Sequence, residues 1–230
     1  FYMTIFNGAI YVGITNEVSG CEVRRYNGTT WTQVNTDGFG DANNWEADGL
    51  VEYNGKLYVG TTNKNTGCEV WRYNGSAWTR VDPGAPGPGN RGFGDGASQQ
   101  DARGMAVFNG KLYVGTENKI SGCEVWEYDG TSWTQVNMDG FGDTNNEESI
   151  SIAIYNNYLY VGTERNEDAT TGCEVWRTAA VGGAPFTDWV QVNTDGFGDK
   201  DNNTAIAMTV YDGNFYVGSG GDNIATGCSV

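Results

Sequence analysis

The sequence predicts an all-β fold, a β-propeller built from four-stranded antiparallel blades. A unit of about 50 residues repeats along the 230-residue chain, and each repeat carries one Gly-Cys pair and one Tyr-Val-Gly tripeptide. A self-similar period of that length is typical of propellers and solenoids. No segment shows the 3.6-residue apolar period of a helix. We expect one domain over residues 1–230, with repeats at about 1–48, 49–103, 104–149 and 150–203 and a partial fifth repeat at 204–230.

Each repeat is predicted to form four short strands joined by tight turns. In the second repeat the expected strands cover residues 50–53, 56–61, 68–73 and 78–81. Asn54-Gly55 separates the first two strands. Asn-Gly between two apolar runs indicates a type I′ hairpin, which needs positive φ at both central residues. The other repeats carry at this place Asn7-Gly8, Asn109-Gly110, Asn156-Asn157 and Asp212-Gly213. Since four strands fit into about 35 residues, helical crossovers have no room and the strands are expected to be antiparallel.

Aromatic residues recur at fixed places, with a Tyr that ends the third strand and a Trp after the next turn. The pairs are Tyr26 with Trp31, Tyr73 with Trp78, and Tyr128 with Trp133. Together with a glycine at the end of the second strand, this arrangement resembles a kelch-type repeat, although Gly60 stands alone where that family has a glycine pair. The resemblance covers nearly the whole chain and implies a propeller fold, and no function is carried over from it. WD-type propellers are less similar, because the chain contains no histidine and no Trp-Asp pair.

The composition is strongly acidic, with 29 Asp and Glu against 13 Lys and Arg, a net charge of −16 and a pI near 4.1. Nucleic-acid binding requires a basic surface, so this balance argues against a nucleic-acid partner and against anionic membrane surfaces. The acidic, glycine-rich and aromatic-rich composition is typical of a secreted or cell-surface protein. No run is long and apolar enough for a membrane-spanning helix, so no membrane insertion is expected. Because the sequence stops inside a fifth repeat, we expect it to be part of a longer chain.

The five cysteines occupy the same place in successive repeats. Packed sheets lie about 10 Å apart, whereas a disulfide needs Cα atoms closer than about 7 Å. Equivalent cysteines are therefore not expected to pair, and we predict free thiols that act as small buried apolar groups. A metal ring of cysteines is disfavoured because no Cys-x-x-Cys pair and no histidine is present.

The loop between two successive blades contains an Asp-Gly-Phe-Gly-Asp motif in the first, third and fourth repeats. One interpretation is structural: the glycines adopt unusual backbone angles, the Phe packs between sheets, and Asp and Asn form Asx-turns. The alternative is a calcium loop, because Ca²⁺ binds six to eight oxygens from carboxylates, amides and carbonyls. The motif resembles the metal loops of FG-GAP propellers but lacks their Asp-x-Asp-x-Asp-Gly core. The candidate ligands are Asp37, Asp41 and Asn43; Asp139, Asp143 and Asn145; and Asp195, Asp199 and Asp201.

These loops and the loops between the second and third strands are expected at the same end of the propeller, which would make that end acidic. The glutamates that begin the third strands, Glu22, Glu69, Glu124 and Glu174, are expected there, solvated or paired with Arg25, Arg72 or Arg177. Three insertions depart from the repeat, at residues 82–91, 165–171 and 179–188. Because individual function is carried by loops rather than by scaffold positions, Arg91, Glu167 and Asp168 are candidate binding residues.

Two functions compete. The first is a non-enzymatic binding or structural propeller that contacts a protein, a glycan or another copy of itself through the acidic loop face, ordered by calcium. The alternative is a propeller enzyme that acts on glycans, a hydrolase or a lyase, with loop carboxylates as catalytic groups. The absence of histidine removes the commonest general base. Catalytic residues should also break the repeat symmetry, and the acidic residues mostly obey it. The sequence therefore favours the non-enzymatic function.

Overall fold

The computed structural model describes residues 2–84, 91–166 and 170–221. The described residues form an all-β propeller, and helical structure within them is limited to short 3₁₀ turns at Asp37–Gly40, Gly92–Gly94, Gly96–Ser98, Asp139–Gly142 and Asp195–Gly198. The strands are β1 (Met3–Phe6), β2 (Ala9–Ile14), β3 (Glu22–Tyr26), β4 (Trp31–Gln33), β5 (Glu46–Tyr53), β6 (Lys56–Thr62), β7 (Val70–Tyr73), β8 (Trp78–Arg80), β9 (Gln99–Phe108), β10 (Lys111–Asn118), β11 (Val125–Tyr128), β12 (Trp133–Gln135), β13 (Asn146–Tyr155), β14 (Tyr158–Arg165), β15 (Val175–Thr178), β16 (Val190–Gln191), β17 (Thr204–Tyr211) and β18 (Asn214–Gly220).

The strands pair in sequence order within each blade, as the repeat predicts. The blades are β1-β2-β3-β4, β5-β6-β7-β8, β9-β10-β11-β12 and β13-β14-β15-β16, and β17 pairs with β18 as the start of a fifth. The chain forms two compact units. Unit 1 contains Phe1–Arg103, Asn109–Leu112 and Asp129–Trp133, and unit 2 contains Gly104–Phe108, Tyr113–Tyr128 and Thr134–Val230.

The Asn-Gly turn between the first two strands has the predicted backbone. Asn54 and Gly55 have φ angles of 50° and 68°, so both central residues are left-handed, as a type I′ turn requires. The second turn of the blade is different, because Asn74 does not adopt positive φ. Its side-chain Oδ1 instead accepts hydrogen bonds from the backbone N–H groups of Ser76 (2.9 Å) and Ala77 (2.8 Å). This turn is therefore an Asx-turn rather than a second type I′ hairpin.

Each unit has its own apolar core, formed where strands of neighbouring blades pack face to face. The unit 1 core contains Phe6, Ala9, Tyr11, Cys21, Val23, Ala47, Leu57, Val59 and Tyr73. Unit 2 contains one cluster around Ala106, Phe108, Tyr113, Cys123, Val125, Val136, Phe141, Leu159, Val161 and Phe186, and another around Tyr160, Cys173, Val175 and Ala205. The predicted aromatic pairs also form: the rings of Tyr73 and Trp78 stack at 4.7 Å.

The cysteines have the predicted state. Cys21, Cys68, Cys123 and Cys173 are free and buried, and Cys228 lies outside the described residues. Burial raises the pKa of each of these four thiols, to about 12 for Cys21 and to about 11 for Cys173. They pack as small apolar groups, as expected for inert structural cysteines.

The Asp-Gly-Phe-Gly-Asp motif folds into a 3₁₀ turn with two successive left-handed residues. Gly38 has φ +54°, and Phe39 itself has φ +56°. A Cβ on Gly20 would lie 2.6 Å from the Cα of Gly38, so the neighbouring loop requires glycine for this close approach. The ring of Phe39 stacks on Trp71 with its centroid 4.8 Å away. The prediction that this Phe packs between sheets is confirmed, but its own left-handed backbone was not predicted.

The insertion at residues 179–188 contributes a side chain to the unit 2 core. Phe186 lies in the cluster with Val136 and Phe141, and its N–H donates to the carbonyl of Val136 at 2.8 Å. The indole N–H of Trp189 donates to the same carbonyl at 2.9 Å. This departure from the repeat therefore packs against the scaffold.

Candidate active site

The loop end of unit 1 contains an arginine that pairs with two carboxylates, one from a loop and one from the start of a third strand. Arg91 Nη1 lies 2.6 Å from Asp41 Oδ2, and its Nε lies 3.0 Å from Glu69 Oε1. Glu69 is buried and also accepts a hydrogen bond from the indole N–H of Trp71 at 2.8 Å. Arg91, which the sequence analysis names as a candidate binding residue, is thus engaged in an ion-pair network.

Unit 2 contains the same arrangement, built from a different position in the repeat. Arg165, at the end of β14, places Nη2 2.7 Å from Asp143 Oδ2 and Nη1 2.8 Å from Glu174 Oε1. Asn146 donates its amide to Glu174 Oε2 at 2.8 Å, and so does the Trp176 indole at 2.7 Å. In each unit an arginine therefore forms ion pairs with one loop Asp and with one glutamate of the third strand.

The prediction for these glutamates was wrong on two points. Glu69, Glu124 and Glu174 are buried rather than solvated at a rim. Glu22 pairs with Arg24, Glu69 pairs with Arg91 rather than Arg72, and Glu174 pairs with Arg165 rather than Arg177. The alternating side-chain direction along a strand explains the difference, because Arg72 lies three residues from Glu69 and points to the opposite face.

In each loop the candidate calcium ligands already accept or donate hydrogen bonds within the protein. The first Asp of the motif bonds to the preceding strand, and the later Asp bonds within the loop. Asp37, Asp139 and Asp195 each accept a hydrogen bond from the glutamine that ends the preceding outer strand, at 2.6–2.7 Å. Asp41 Oδ1 accepts the backbone and side-chain N–H groups of Asn43, and Asp143 Oδ1 does the same with Asn145. In the last loop the Asp201 N–H donates to Asp199 Oδ1, and Lys200 pairs with Asp201. The Asx-turns of the structural interpretation are present, and calcium stays a prediction.

The pKa values of Asp41 and Asp143 are set by the groups that bond to their carboxylates. Partial burial alone would raise the pKa of Asp41, but the Asn43 N–H and the Arg91 guanidinium hold it below its usual value. The pKa of Asp143 is lowered for the same reasons, by Asn145 and Arg165 against partial burial. Both aspartates are therefore ionised across the neutral range.

A separate group of carboxylates lies at the start of the first strands in unit 1. Glu46 and Asp48 belong to β5 and Asp101 to β9, and a carboxylate oxygen from each lies within 4.8 Å of the other two. Arg103 Nη2 contacts all three, at 2.8 Å from Asp101, 3.3 Å from Glu46 and 3.5 Å from Asp48. We call these four residues the carboxylate cluster.

The carboxylate cluster contains an acid with a shifted pKa. Burial raises the pKa of Glu46 to about 6, and the hydrogen bond and the negative charge of Asp48 add to that increase, against the lowering by Arg103. Thr62 Oγ1 lies 3.2 Å from Glu46 Oε2 and 3.0 Å from Asp48 Oδ2, so its single O–H is shared between the two carboxyl groups and holds them side by side. A carboxyl group that is still about half protonated near pH 6, beside further carboxylates, is suited to general acid catalysis.

The carboxylate cluster breaks the repeat symmetry at the position of Asp48 and Arg103, a departure that was not predicted from the sequence. The first strands of repeats two to five end at Tyr53, Phe108, Tyr155 and Tyr211. Five residues before these ends stand Asp48, Arg103, Ile150 and Ile206. Seven residues before them stand Glu46, Asp101, Glu148 and Thr204. Aligning the repeats on their Asn-Gly turns marks the first of these positions as the one where charged residues replace isoleucine.

Two other candidate residues, Glu167 and Asp168, lie outside the described residues. Among the described residues no helix is long and apolar enough to cross a membrane.

No protein-family model matches the chain, and no curated protein matches it. Solved structures do match. An α-L-arabinofuranosidase from Clostridium thermocellum is 15% identical with a TM-score of 0.51, covering 97% of this chain and 82% of its own. An endo-arabinase from Bacteroides thetaiotaomicron is 13% identical with a TM-score of 0.52, covering 99% and 91%. An exo-β-1,3-galactanase from Phanerochaete chrysosporium is 9% identical with a TM-score of 0.53, covering 94% and 55%.

These comparisons correct two predictions. The resemblance to kelch-type repeats was wrong, because the solved structures named above are glycoside hydrolase propellers, among them a GH43 enzyme, and not kelch-like repeat proteins. The physical reason is that the Tyr–Trp pairs and the lone glycine are packing features that any four-stranded blade can use. The prediction of a non-enzymatic protein is contradicted by the same structures, which are enzymes that degrade glycans. At these identities the comparisons show the fold, a β-propeller shared with glycoside hydrolases.

Proposed function

We propose that this protein hydrolyses glycosidic bonds in a glycan and that the carboxylate cluster carries the reaction. The observation that carries the proposal is Glu46, an acid with a pKa of about 6 whose carboxyl group is hydrogen-bonded beside Asp48 and close to Asp101. Most glycoside hydrolases use two carboxyl groups, one of them an acid with a raised pKa. The fold supports the proposal, since the proteins named above that share it act on arabinose- and galactose-containing glycans by their names.

In this proposal Glu46 donates its proton to the oxygen of the glycosidic bond as that bond breaks. A water molecule supplies the hydroxyl group at the anomeric carbon and returns a proton to the cluster. Asp48 and Asp101 provide negative charge opposite the positive charge that develops on the sugar ring. Arg103 touches all three carboxylates and acts as a positioning residue that keeps them together.

The glycan partner and the acidic surface agree with the expected extracellular or cell-surface location, where polymeric glycans occur; that location stays a proposal. A net charge of −16 disfavours strongly anionic polysaccharides and favours neutral ones.

The test is an assay of released reducing sugar with arabinotriose, xylotriose, β-1,3-galactotriose and the matching polysaccharides. Glu46→Gln and Asp101→Asn should each lower kcat by about 10²–10⁴-fold, the usual contribution of a positioned acid–base group. Glu52→Gln is the matched control, because Glu52 lies on the same strand, is exposed and should leave the rate unchanged. Absence of hydrolysis with every substrate, or equal rates for wild type and Glu46→Gln, would contradict the proposal.

A further inference from the structure

A recess opens beside the start of β5 in unit 1, and it lies outside the carboxylate cluster. Its lining residues are Glu17, Ala42, Asn43, Trp45, Lys64 and Asn65, and its volume is about 370 Å³. This size falls within the range of small-molecule sites, about 300–1,000 Å³. The recess therefore has room for a small ligand and is bordered mainly by amide and charged groups around one aromatic ring.

The aromatic ring is specific to this repeat. Eight residues before the end of the first strand stand Trp45, Gln100, Glu147 and Asn203 in repeats two to five. The other repeats form the same strand with a polar residue at that place, so the propeller scaffold does not require an indole. A half-buried tryptophan at a polar position of a repeat indicates a role in binding.

The polar groups of the recess are held in place before any ligand arrives. Asn65 Nδ2 donates to Asn43 Oδ1 at 2.6 Å, and Asn43 Nδ2 donates to Asp41 Oδ1 at 2.8 Å. The other oxygen of Asp41 bonds Arg91 at 2.6 Å. The amide row is thus connected to the buried ion-pair network, which limits the entropy lost when a ligand is bound.

Trp45 is fixed as well. Its backbone N–H donates to the Thr62 carbonyl at 3.2 Å, and its carbonyl accepts the Asn16 N–H at 2.8 Å. The Lys64 ammonium lies 5.1 Å from the centre of the indole, a weak contact at an exposed lysine. A ligand that stacks on the ring can therefore displace Lys64 and use the ammonium as a hydrogen-bond donor.

We propose that this recess binds one sugar ring of a neutral glycan, with the ring's C–H face on the Trp45 indole. The hydroxyl groups would bond to Asn43, Asn65, Glu17 and Lys64. Charges of both signs border the recess, which suits hydroxyl groups better than an ion. Trp45 directly precedes Glu46 in the sequence, although neighbouring strand residues point to opposite faces. That the bound sugar is part of the hydrolysed glycan rests on the proposed function.

The test measures binding separately from hydrolysis. Titration calorimetry with arabinotriose, xylotriose and β-1,3-galactotriose is carried out on the Glu46→Gln protein, in which hydrolysis during the titration should be strongly slowed. Trp45→Ala in that background should raise the dissociation constant at least ten-fold, and Trp45→Phe should recover most of the loss. The matched control is Trp31→Ala, because Trp31 is an exposed tryptophan on the outer strand β4.

The outcomes distinguish this inference from the proposed function. Binding that depends on Trp45 supports the recess even when no hydrolysis is detected with wild type. In an active enzyme Trp45→Ala should raise KM more than it lowers kcat. If wild type hydrolyses a sugar and Trp45→Ala leaves the KM unchanged, the sugar-binding role of the recess is contradicted. The proposed hydrolase function is then unaffected. Failure of all three sugars to bind, or equal loss in Trp31→Ala, also contradicts that sugar-binding role.

Discussion

Arg165 Nη1 lies 2.8 Å from Glu174 Oε1, and both side chains are almost completely removed from solvent in unit 2. Unit 1 contains the corresponding contact between Arg91 and Glu69 at 3.0 Å. Arg91 precedes a 3₁₀ turn, whereas Arg165 ends a second strand. The glutamate is buried by the packing of the blade and requires a cation, and the chain supplies that cation from whichever loop position can reach it.

Removal of Arg165 should destabilise the protein strongly. Arg165→Met leaves Glu174 buried with no opposite charge, and the loss of one partner of a buried ion pair costs about 3–5 kcal/mol. Urea unfolding followed by circular dichroism measures the effect. Arg177→Met is the control, since Arg177 lies over the ring of Tyr158 at the surface and its loss should destabilise the protein far less. Equal losses in both variants would refute the role assigned to Arg165.

Phe141 should tolerate glycine at least as well as alanine. Its ring stacks on Trp176 with centroids 5.0 Å apart, so Phe141→Ala should cost about 3–5 kcal/mol of unfolding free energy. Its backbone has φ +56°, a conformation that costs an L-residue about 1–2 kcal/mol. Glycine relieves that strain, so Phe141→Gly should be as stable as Phe141→Ala or up to about 1 kcal/mol more stable. A Gly variant clearly less stable than the Ala variant would contradict the left-handed backbone.

The pKa of Glu46 predicts a pH dependence with a definite sign. The folded value of about 6 lies above the ordinary value of 4.5, so the folded state holds this proton more tightly than the unfolded state. The stability contributed by Glu46 is full below 4.5 and is lost as the pH rises through about 6. Activity that needs the protonated acid should fall over the same upper range.

Variants of the neighbours should move this titration in opposite directions. Asp48→Asn removes a negative charge and should lower the pKa of Glu46, and Arg103→Gln removes a positive charge and should raise it. Carboxyl NMR of labelled Glu46 follows the change without reference to activity. Shifts of the same sign in both variants would show that the cluster is not coupled as described.

Calcium should raise the midpoint of thermal unfolding if the loops bind it, because a ligand that binds only the folded state stabilises that state. The measurement compares melts with chelator and with added calcium. Asp139→Asn and Asp143→Asn should each remove part of the rise, since each replaces one carboxylate ligand by a neutral amide. An unchanged midpoint in wild type would contradict the calcium prediction and leave these loops as turns.

The fold could be predicted because the same blade pattern occurs several times in the sequence. The period of about 50 residues, the Asn-Gly turns and the recurring cysteines each indicate the same four-stranded blade in several repeats. Within one strand, the alternation of Leu57 and Val59 with Tyr58 shows which residues share a face. The buried thiols also follow from their constant place in the blade. These features depend on neighbours in sequence or on the repeat itself, both of which are visible in one chain.

The carboxylate cluster could not be predicted by the same means. Asp48 and Arg103 lie in successive repeats, and their meeting depends on how two first strands pack in three dimensions. The pairing of Glu69 with Arg91 was missed for a similar reason, since Arg91 comes from an insertion without a counterpart in the other repeats. Repeated motifs indicate the scaffold, whereas the carboxylate cluster and the Arg91 ion pairs depend on residues that differ between repeats.

The four buried thiols give each of the first four repeats a chemical reporter of its own opening. With pKa values raised by burial, these cysteines carry almost no thiolate in the closed blade and should resist alkylation. A cysteine becomes reactive only when its third strand separates from the neighbouring loop. Labelling rates read peptide by peptide by mass spectrometry would therefore rank the blades by the free energy of local unfolding, without any engineered probe.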